Sequence, residues 1–292
     1  MAFDPDEQLS LISTVDELSA HMIETLSQWS QEDWNRDSYC AGWTRADVVA
    51  HVTTGTDYRT QVLKLGLAEK PIFPWGASSL DEVRHIRAEA VANLCSGGPP
   101  VLLDGFANAV HQHQELLASL QLSDLATMAR YPRGLVPVGE WIGMQLIELI
   151  VHEWDMREPV EPDARLVSFA VEPVLKVLPE THLRFLSHRL EGNDASMLKD
   201  GGYRICAGSM EWVFRIRSQR VTYEAGSSVP YRTSFYADPE TLILLTLGRL
   251  DVASQLAIGA CRFEGHPDID TTLYEVILGP YISASVIPPN VA

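Results

Sequence analysis

Glu148 and His152 fall four apart in Gln145-Leu-Ile-Glu-Leu-Ile-Val-His-Glu-Trp-Asp155. On a helix both side chains leave the same face, one turn apart. A carboxylate and an imidazole so placed can hold a divalent metal. A further ligand is available in Gly42-Trp-Thr-Arg-Ala-Asp-Val-Val-Ala-His51, on a second predicted helix. Two helices packed side by side can bring His51, Glu148 and His152 together. A His, Glu, His set leaves the fourth position of a tetrahedral metal open, the feature that separates a catalytic zinc from a structural one. The plain alternative is a solvated Glu–His pair worth a few tenths of a kcal/mol. The neighbours Leu146, Ile147, Leu149, Ile150 and Val151 argue against it, because a helix apolar nearly all round is buried. A buried Glu costs several kcal/mol unless it is paired or bound to metal.

Thr54, Gly55 and Tyr58 follow His51 at three, four and seven places and share its face. Thr54 and Tyr58 are candidate pocket-lining residues, with ordinary helix packing as the alternative, and Gly55 leaves room near a metal. Asp47 suits a helix cap, or a support for His51. Asp155 is read as structural, paired with a cation such as Arg157 or Arg45. Cys40, near the site in sequence, is read as packing. His111 and His113 point to different sides of a helix. His21, His85, His182, His188 and His266 lack partners at ligand spacing. His152-Glu153 begins like the zinc-protease motif, but Met156 stands where its second histidine belongs.

The elements that must position these groups can be read from periodicity. A helix is predicted over about 6–30, a loop over 31–42, and a helix from the N-cap Thr44 to about Gly66. Next come a Pro/Gly-bearing connection, a short helix from Asp81 to Leu94, and a main helix from Val101 to Leu120. The stretch Arg130–Pro137 reads as loop, before the helix carrying Glu148 and His152. Four principal helices make a bundle, a fold that hosts metal sites between facing helices. Beyond Pro162, a helix over 166–190 should kink or break at Pro173 or Pro179. Strands follow at 203–207, 211–217, 220–224 and 231–236. Asp238-Pro239-Glu240 opens a helix over 241–249. A short strand over 261–265 and a last helix from Asp268 complete the pattern. The expected domains are 1–162, a four-helix metal-binding bundle, and 166–292, a smaller α+β domain.

The chain has 292 residues and a net charge of −17, with Lys plus Arg at 22 against 39 Asp plus Glu. That balance disfavours nucleic acid and anionic membrane as partners. The acidic start lacks the features of a signal peptide, and no run is apolar enough to span a membrane. The 4 cysteines are far apart, which fits free thiols and a cytoplasmic location.

The pairing of Gly42–His51 with Glu148–Met156 resembles the mycothiol-dependent maleylpyruvate isomerase family. The later segments Ala237–Arg249 and Cys261–Pro267 are similar to that family's second domain. The resemblance implies a DinB-like N-terminal bundle followed by a sterol-carrier-like α+β domain. It implies zinc, or another divalent metal, on His51, Glu148 and His152, with mycothiol as thiol cosubstrate at the open position. Arg249 is the candidate catalytic residue, contacting a substrate anion because the isomerase substrate is a dicarboxylate; the alternative is a helix C-terminal arginine interacting with the dipole. Isomerase-like members often carry Arg directly before the metal Glu, where this chain has Ile147, and extra sequence lies around 68–100. These departures point to shared metal and thiol chemistry with a different substrate.

The expected function is a metalloenzyme, a transferase or isomerase, that activates mycothiol for addition to, isomerisation of, or transfer onto a small electrophile. The alternatives are a hydrolase or lyase using metal-bound water, or a non-catalytic small-molecule-binding protein of the same fold. The expected assembly is a monomer or small homo-oligomer.

Overall fold

The computed structural model describes residues 5–132, 134–161, 163–190, 200–218, 220–226 and 230–265. Its contacts divide the chain into two units, the first ending at Ala170 and the second beginning at Val171.

The first unit is helical: α1 (Pro5–Ser27), α2 (Gln31–Asn35), α3 (Arg45–Leu67), α4 (Leu80–Ser96), α5 (Gly98–Ser119) and α6 (Val138–Arg157). Helices α1, α3, α5 and α6 make the bundle, with α1 and α3 each packed on both α5 and α6. The 3.6-residue period is the cause. Val15, Leu18, Met22 and Leu26 of α1 and Leu102, Phe106, Val110 and Leu117 of α5 are all buried, so each helix seals one stripe against its neighbours. Helix α6 is buried nearly all round, as its run of apolar residues requires.

Thr44 caps α3 through a full capping box with Asp47, whose carboxylate accepts from the Thr44 N–H at 2.8 Å. The loop expected over 31–42 contains the one-turn helix α2, capped by Ser30 and Asp33 in the same way. Helix α4 is longer than expected, at 17 residues, and packs on α3 and α5 as an addition to the bundle. The segment expected as loop before α6 is a hairpin instead. Strands β1 (Met128–Tyr131) and β2 (Gly134–Pro137) pair antiparallel. Four-residue strands are too short for their alternation to stand out in sequence.

Among the described residues, the α+β unit holds most of α7 (Ser168–Leu190), five strands and two short helices. Helix α7 continues through both Pro173 and Pro179, so neither proline breaks it. Strands β3 (Gly201–Ala207), β4 (Met210–Arg217), β5 (Arg220–Ala225), β6 (Thr233–Ala237) and β7 (Cys261–Gly265) form one sheet in the order β5-β4-β3-β6-β7. Only β3–β6 is parallel; the other pairs are antiparallel. Tyr203, Phe214 and Phe235 are its largest fully buried residues, and His182 of α7 rests 5.2 Å from the Phe214 ring. Asp238 caps α8 (Pro239–Thr246), and α9 (Val252–Ala257) precedes β7. The helix expected from Asp268 lies outside the described residues. No helix among the described residues is long and apolar enough to cross a membrane.

Candidate metal centre

His51 comes from the second turn of α3, and Glu148 and His152 from the middle of α6. Glu148 Oε1 lies 3.1 Å from His51 Nε2 and 3.6 Å from His152 Nε2. The two imidazole rings meet edge to face at 5.1 Å. One ligand atom from each residue fits within 4.8 Å of the other two. Zinc bonds of about 2.0–2.1 Å in tetrahedral array place neighbouring ligand atoms roughly 3.4 Å apart. The two separations from Glu148, 3.1 and 3.6 Å, bracket that value, and two imidazoles with a carboxylate suit zinc. The donor set fits the metal.

The surroundings orient each ligand. Gly42, at φ +80°, closes a turn in which the Trp43 N–H donates to the Cys40 carbonyl at 2.9 Å. A side chain is strained at that dihedral, so glycine is needed there. The turn sets Trp43 against His51, with ring centroids 5.2 Å apart. It also brings the Cys40 thiol to Asp155, to which it donates at 3.3 Å. His152 Nδ1–H donates to the same Asp155 oxygen at 2.8 Å. A carboxylate can only accept, so Nδ1 carries the hydrogen and Nε2 faces Glu148.

The Asp155 carboxylate serves His152, while Arg157 donates to Glu153 at 2.8 Å and Arg45 to the Met156 carbonyl at 2.6 Å. Cys40, His152 and Asp155 also lie close enough to share a metal. Asp155, however, is fully buried, while the Glu148 and His51 side chains are 18% and 19% exposed. Among the described residues, the His51 group is the more open of the two.

Electrostatics separate the three ligands. Burial pushes His51 down to about 4, against the pull of Glu148, so its imidazole is neutral at pH 7. Burial opposes charge on Glu148 too, but the Arg59 guanidinium and both imidazoles hold its carboxyl well below the usual carboxylate range. For His152, burial again favours the neutral ring. Hydrogen bonds with Asp155, Cys40 and Glu148 override it and raise the imidazole well above its ordinary range.

Two arginines at this site were not singled out from sequence. Arg59 Nη2 pairs with Glu148 Oε2 at 3.0 Å. Arg87 of α4 donates from Nη2 to the His51 carbonyl at 3.4 Å. Gly55 makes room for both. A Cβ there would meet Arg59 Nη1 at 3.0 Å and Arg87 Nη2 at 3.3 Å, with Glu148 Oε1 at 3.7 Å. The signal was available for Arg59, since a buried Glu148 required a cation and Arg59 lies two turns beyond His51.

Thr54 donates to the His51 carbonyl at 3.0 Å and lines a cavity beside α3. Tyr58 is buried against Trp75 and Trp141, its hydroxyl without a hydrogen bond among the described residues. Arg249 lies in the α+β unit, buried, with Nη1 donating to the Leu247 carbonyl at 2.8 Å. His113 is buried and bonded to Thr60 at 2.9 Å, a packing role.

A helical bundle with a His–Glu–His cluster between two of its helices, extended by an α+β unit, defines the class of this protein. Residues 15–157 match the model of the mycothiol maleylpyruvate isomerase N-terminal domain, which places this segment in that family. The fold agrees with a crystal structure of the mycothiol-dependent maleylpyruvate isomerase, at 15% identity and TM-score 0.55, over 83% of this chain and 90% of that one. A histidine-to-alanine mutant of that enzyme matches equally well, at 14% identity and TM-score 0.55. No curated protein matches the chain.

Proposed function

We propose that the protein is a mycothiol-dependent metalloenzyme of isomerase or transferase type, with a divalent ion, zinc by the donor set, on His51, Glu148 and His152. The observation that carries this reading is the spacing of Nε2, Oε1 and Nε2 around one point, with Glu148 and His51 partly open. Zinc bound there would lower the pKa of an incoming thiol and hold it as thiolate at neutral pH.

The chain's own residues prepare that chemistry. Asp155 holds the Nδ1 hydrogen of His152 and so keeps the ring's other nitrogen on the ligand side. Arg59 engages one oxygen of Glu148 and leaves the second between the two imidazoles. The burial of His51 keeps it neutral, as a ligand must be. Trp43 fixes the plane of that ring. The product is a thiol adduct or an isomerised small electrophile.

Calorimetry with mycothiol tests the reading. Zinc-loaded protein should bind the thiol, chelator-stripped protein should not, and cobalt-substituted protein should gain a sulfur-to-cobalt charge-transfer band. Zinc-loaded protein that ignores mycothiol and shows no such band would refute the use of this thiol.

A further inference from the structure

A cavity of about 360 Å³ lies between α3, α4 and α5, entirely within the helical unit. Its walls include Thr54, Asp57, Trp75, Arg87, Ala90 and Asn108. That volume falls at the small end of ligand sites, enough for a compact organic molecule. Trp75 is held on the wall at φ +59°, an unusual dihedral for a bulky residue, with its ring 5.8 Å from Tyr58.

Arg87 joins this cavity to the metal centre. It lines the chamber, and its guanidinium also reaches the His51 carbonyl behind it. That 3.4 Å contact is the hydrogen bond it makes among the described residues, and its buried Nε has no acceptor. A guanidinium carries five N–H donors. Glu148, the nearest carboxylate on the ligand side, is already paired with Arg59 at 3.0 Å. Arg87 is attracted by the Glu148 charge and its guanidinium lies 5.8 Å from the Tyr58 ring, but neither contact occupies its remaining N–H donors. Asp57, contributed to the lining by α3, accepts from Gln61 at 3.2 Å. The remaining lining is chiefly apolar, with Ile86, Ala90 and Leu94 contributed by α4 alone.

We propose that this cavity binds a small carboxylate with a compact apolar body, and that Arg87 holds the carboxylate while the apolar part occupies the space between α4 and α5. Arg87 is thereby a specificity-determining residue. Arginine's planar fork matches a carboxylate in two parallel hydrogen bonds, which suits it to this role better than lysine. The part this ligand plays in turnover, as the electrophile offered to the thiol, rests on the metalloenzyme reading; the binding itself does not.

The test uses benzoate as probe and benzamide as its uncharged counterpart, titrated into the full-length protein by calorimetry or ligand-observed NMR. Both zinc-loaded and chelator-treated samples are measured, and zinc content is determined separately. Benzoate is expected to bind both samples, and benzamide at least about tenfold more weakly, the scale of a charge-assisted hydrogen bond. Arg87→Gln should lose at least about tenfold in benzoate affinity and Arg87→Lys less. Ala90→Phe, which fills the chamber from a different residue, should block binding while circular dichroism and the melting curve stay near wild type. Equal affinity for benzoate and benzamide, unchanged binding in Arg87→Gln, or no benzoate binding at millimolar concentration would overturn the proposal. Loss of zinc from Arg87→Gln with benzoate affinity intact would also overturn it, making Arg87 a support for the metal site. Failure of zinc to bind at all would leave these titrations readable, so the two readings fail separately.

Discussion

Asp155 Oδ2 and His152 Nδ1 stand 2.8 Å apart, and this one contact decides which nitrogen of His152 faces Glu148. Partners of this kind fix the tautomer of a ligating histidine and raise its basicity, and removing them commonly costs 10–100-fold in metal affinity. Asp155→Asn should therefore weaken zinc binding by about 10–100-fold, read by competition with a chromophoric chelator, with little change in fold. Wild-type affinity should strengthen as pH rises through the raised titration of His152, because metal must displace the Nε2 proton. In Asp155→Asn that window moves to lower pH. Zinc affinity unchanged by the substitution would contradict the assigned role.

Arg59 offsets the burial of Glu148 through their 3.0 Å pair. Arg59→Met keeps most of the side-chain volume and leaves a largely buried carboxylate without its cation. The metal-free protein should lose roughly 1–3 kcal/mol, the cost of stranding such a group. Zinc, by supplying positive charge to the same carboxylate, should restore a larger share of the melting temperature to the variant than to wild type. Denaturant melts with and without zinc measure both effects.

Gly55 gives a test of space. Glycine inside a helix costs about 1 kcal/mol relative to alanine, so Gly55→Ala should remain folded and melt no lower than wild type. Its Cβ would sit 3.0 Å from Arg59 Nη1 and 3.3 Å from Arg87 Nη2, tighter than ordinary contact. Zinc affinity should fall in Gly55→Ala and fall further in Gly55→Val. A valine variant that binds zinc like wild type would show that the guanidiniums can move at no cost.

Much of this arrangement was legible in the chain. The i,i+4 pair Glu148 and His152, set in an apolar run, announced both a buried helix and an unmet need for a partner. The Thr44–Asp47 cap marked where α3 begins, and with it the turn that carries His51. Other features lay beyond local pattern. Arg87 reaches the site from α4, 36 positions after the His51 it touches, and nothing in its neighbourhood of the sequence signals that approach. Asp155 was placed with Arg45 or Arg157 because charge complementarity favours a cation. The geometry of α6 instead sets it one turn from His152, while Arg157 is taken by Glu153. In α7 the prolines at 173 and 179 suggested a break, yet the helix runs through both.

His113 sets a pH dependence of stability that is separate from the metal ligands. Burial pushes its imidazole down to about 3, with the Arg59 charge adding to the effect. Between the ordinary imidazole value of 6.5 and about 3, the unfolded chain holds a proton that the folded chain refuses. Stability from this group is thus complete above pH 6.5 and falls with acid. The loss is roughly 2 kcal/mol by about pH 5, at 1.36 kcal/mol per unit. Chelator-treated wild type and His113→Gln, unfolded by urea across this range, should differ by that slope. His51 and His152 are common to both proteins and cancel in the comparison. Parallel curves would show that His113 titrates normally.

Diffraction from zinc-loaded crystals at energies above and below the zinc absorption edge tests the central claim most directly. The account predicts a single strong anomalous peak bonded to His51 Nε2, Glu148 Oε1 and His152 Nε2 at about 2.0–2.2 Å. It also predicts a fourth position facing away from α3 and α6, and no peak in crystals of His152→Ala. Zinc found on Cys40 and Asp155 instead, or no zinc between α3 and α6, would contradict it.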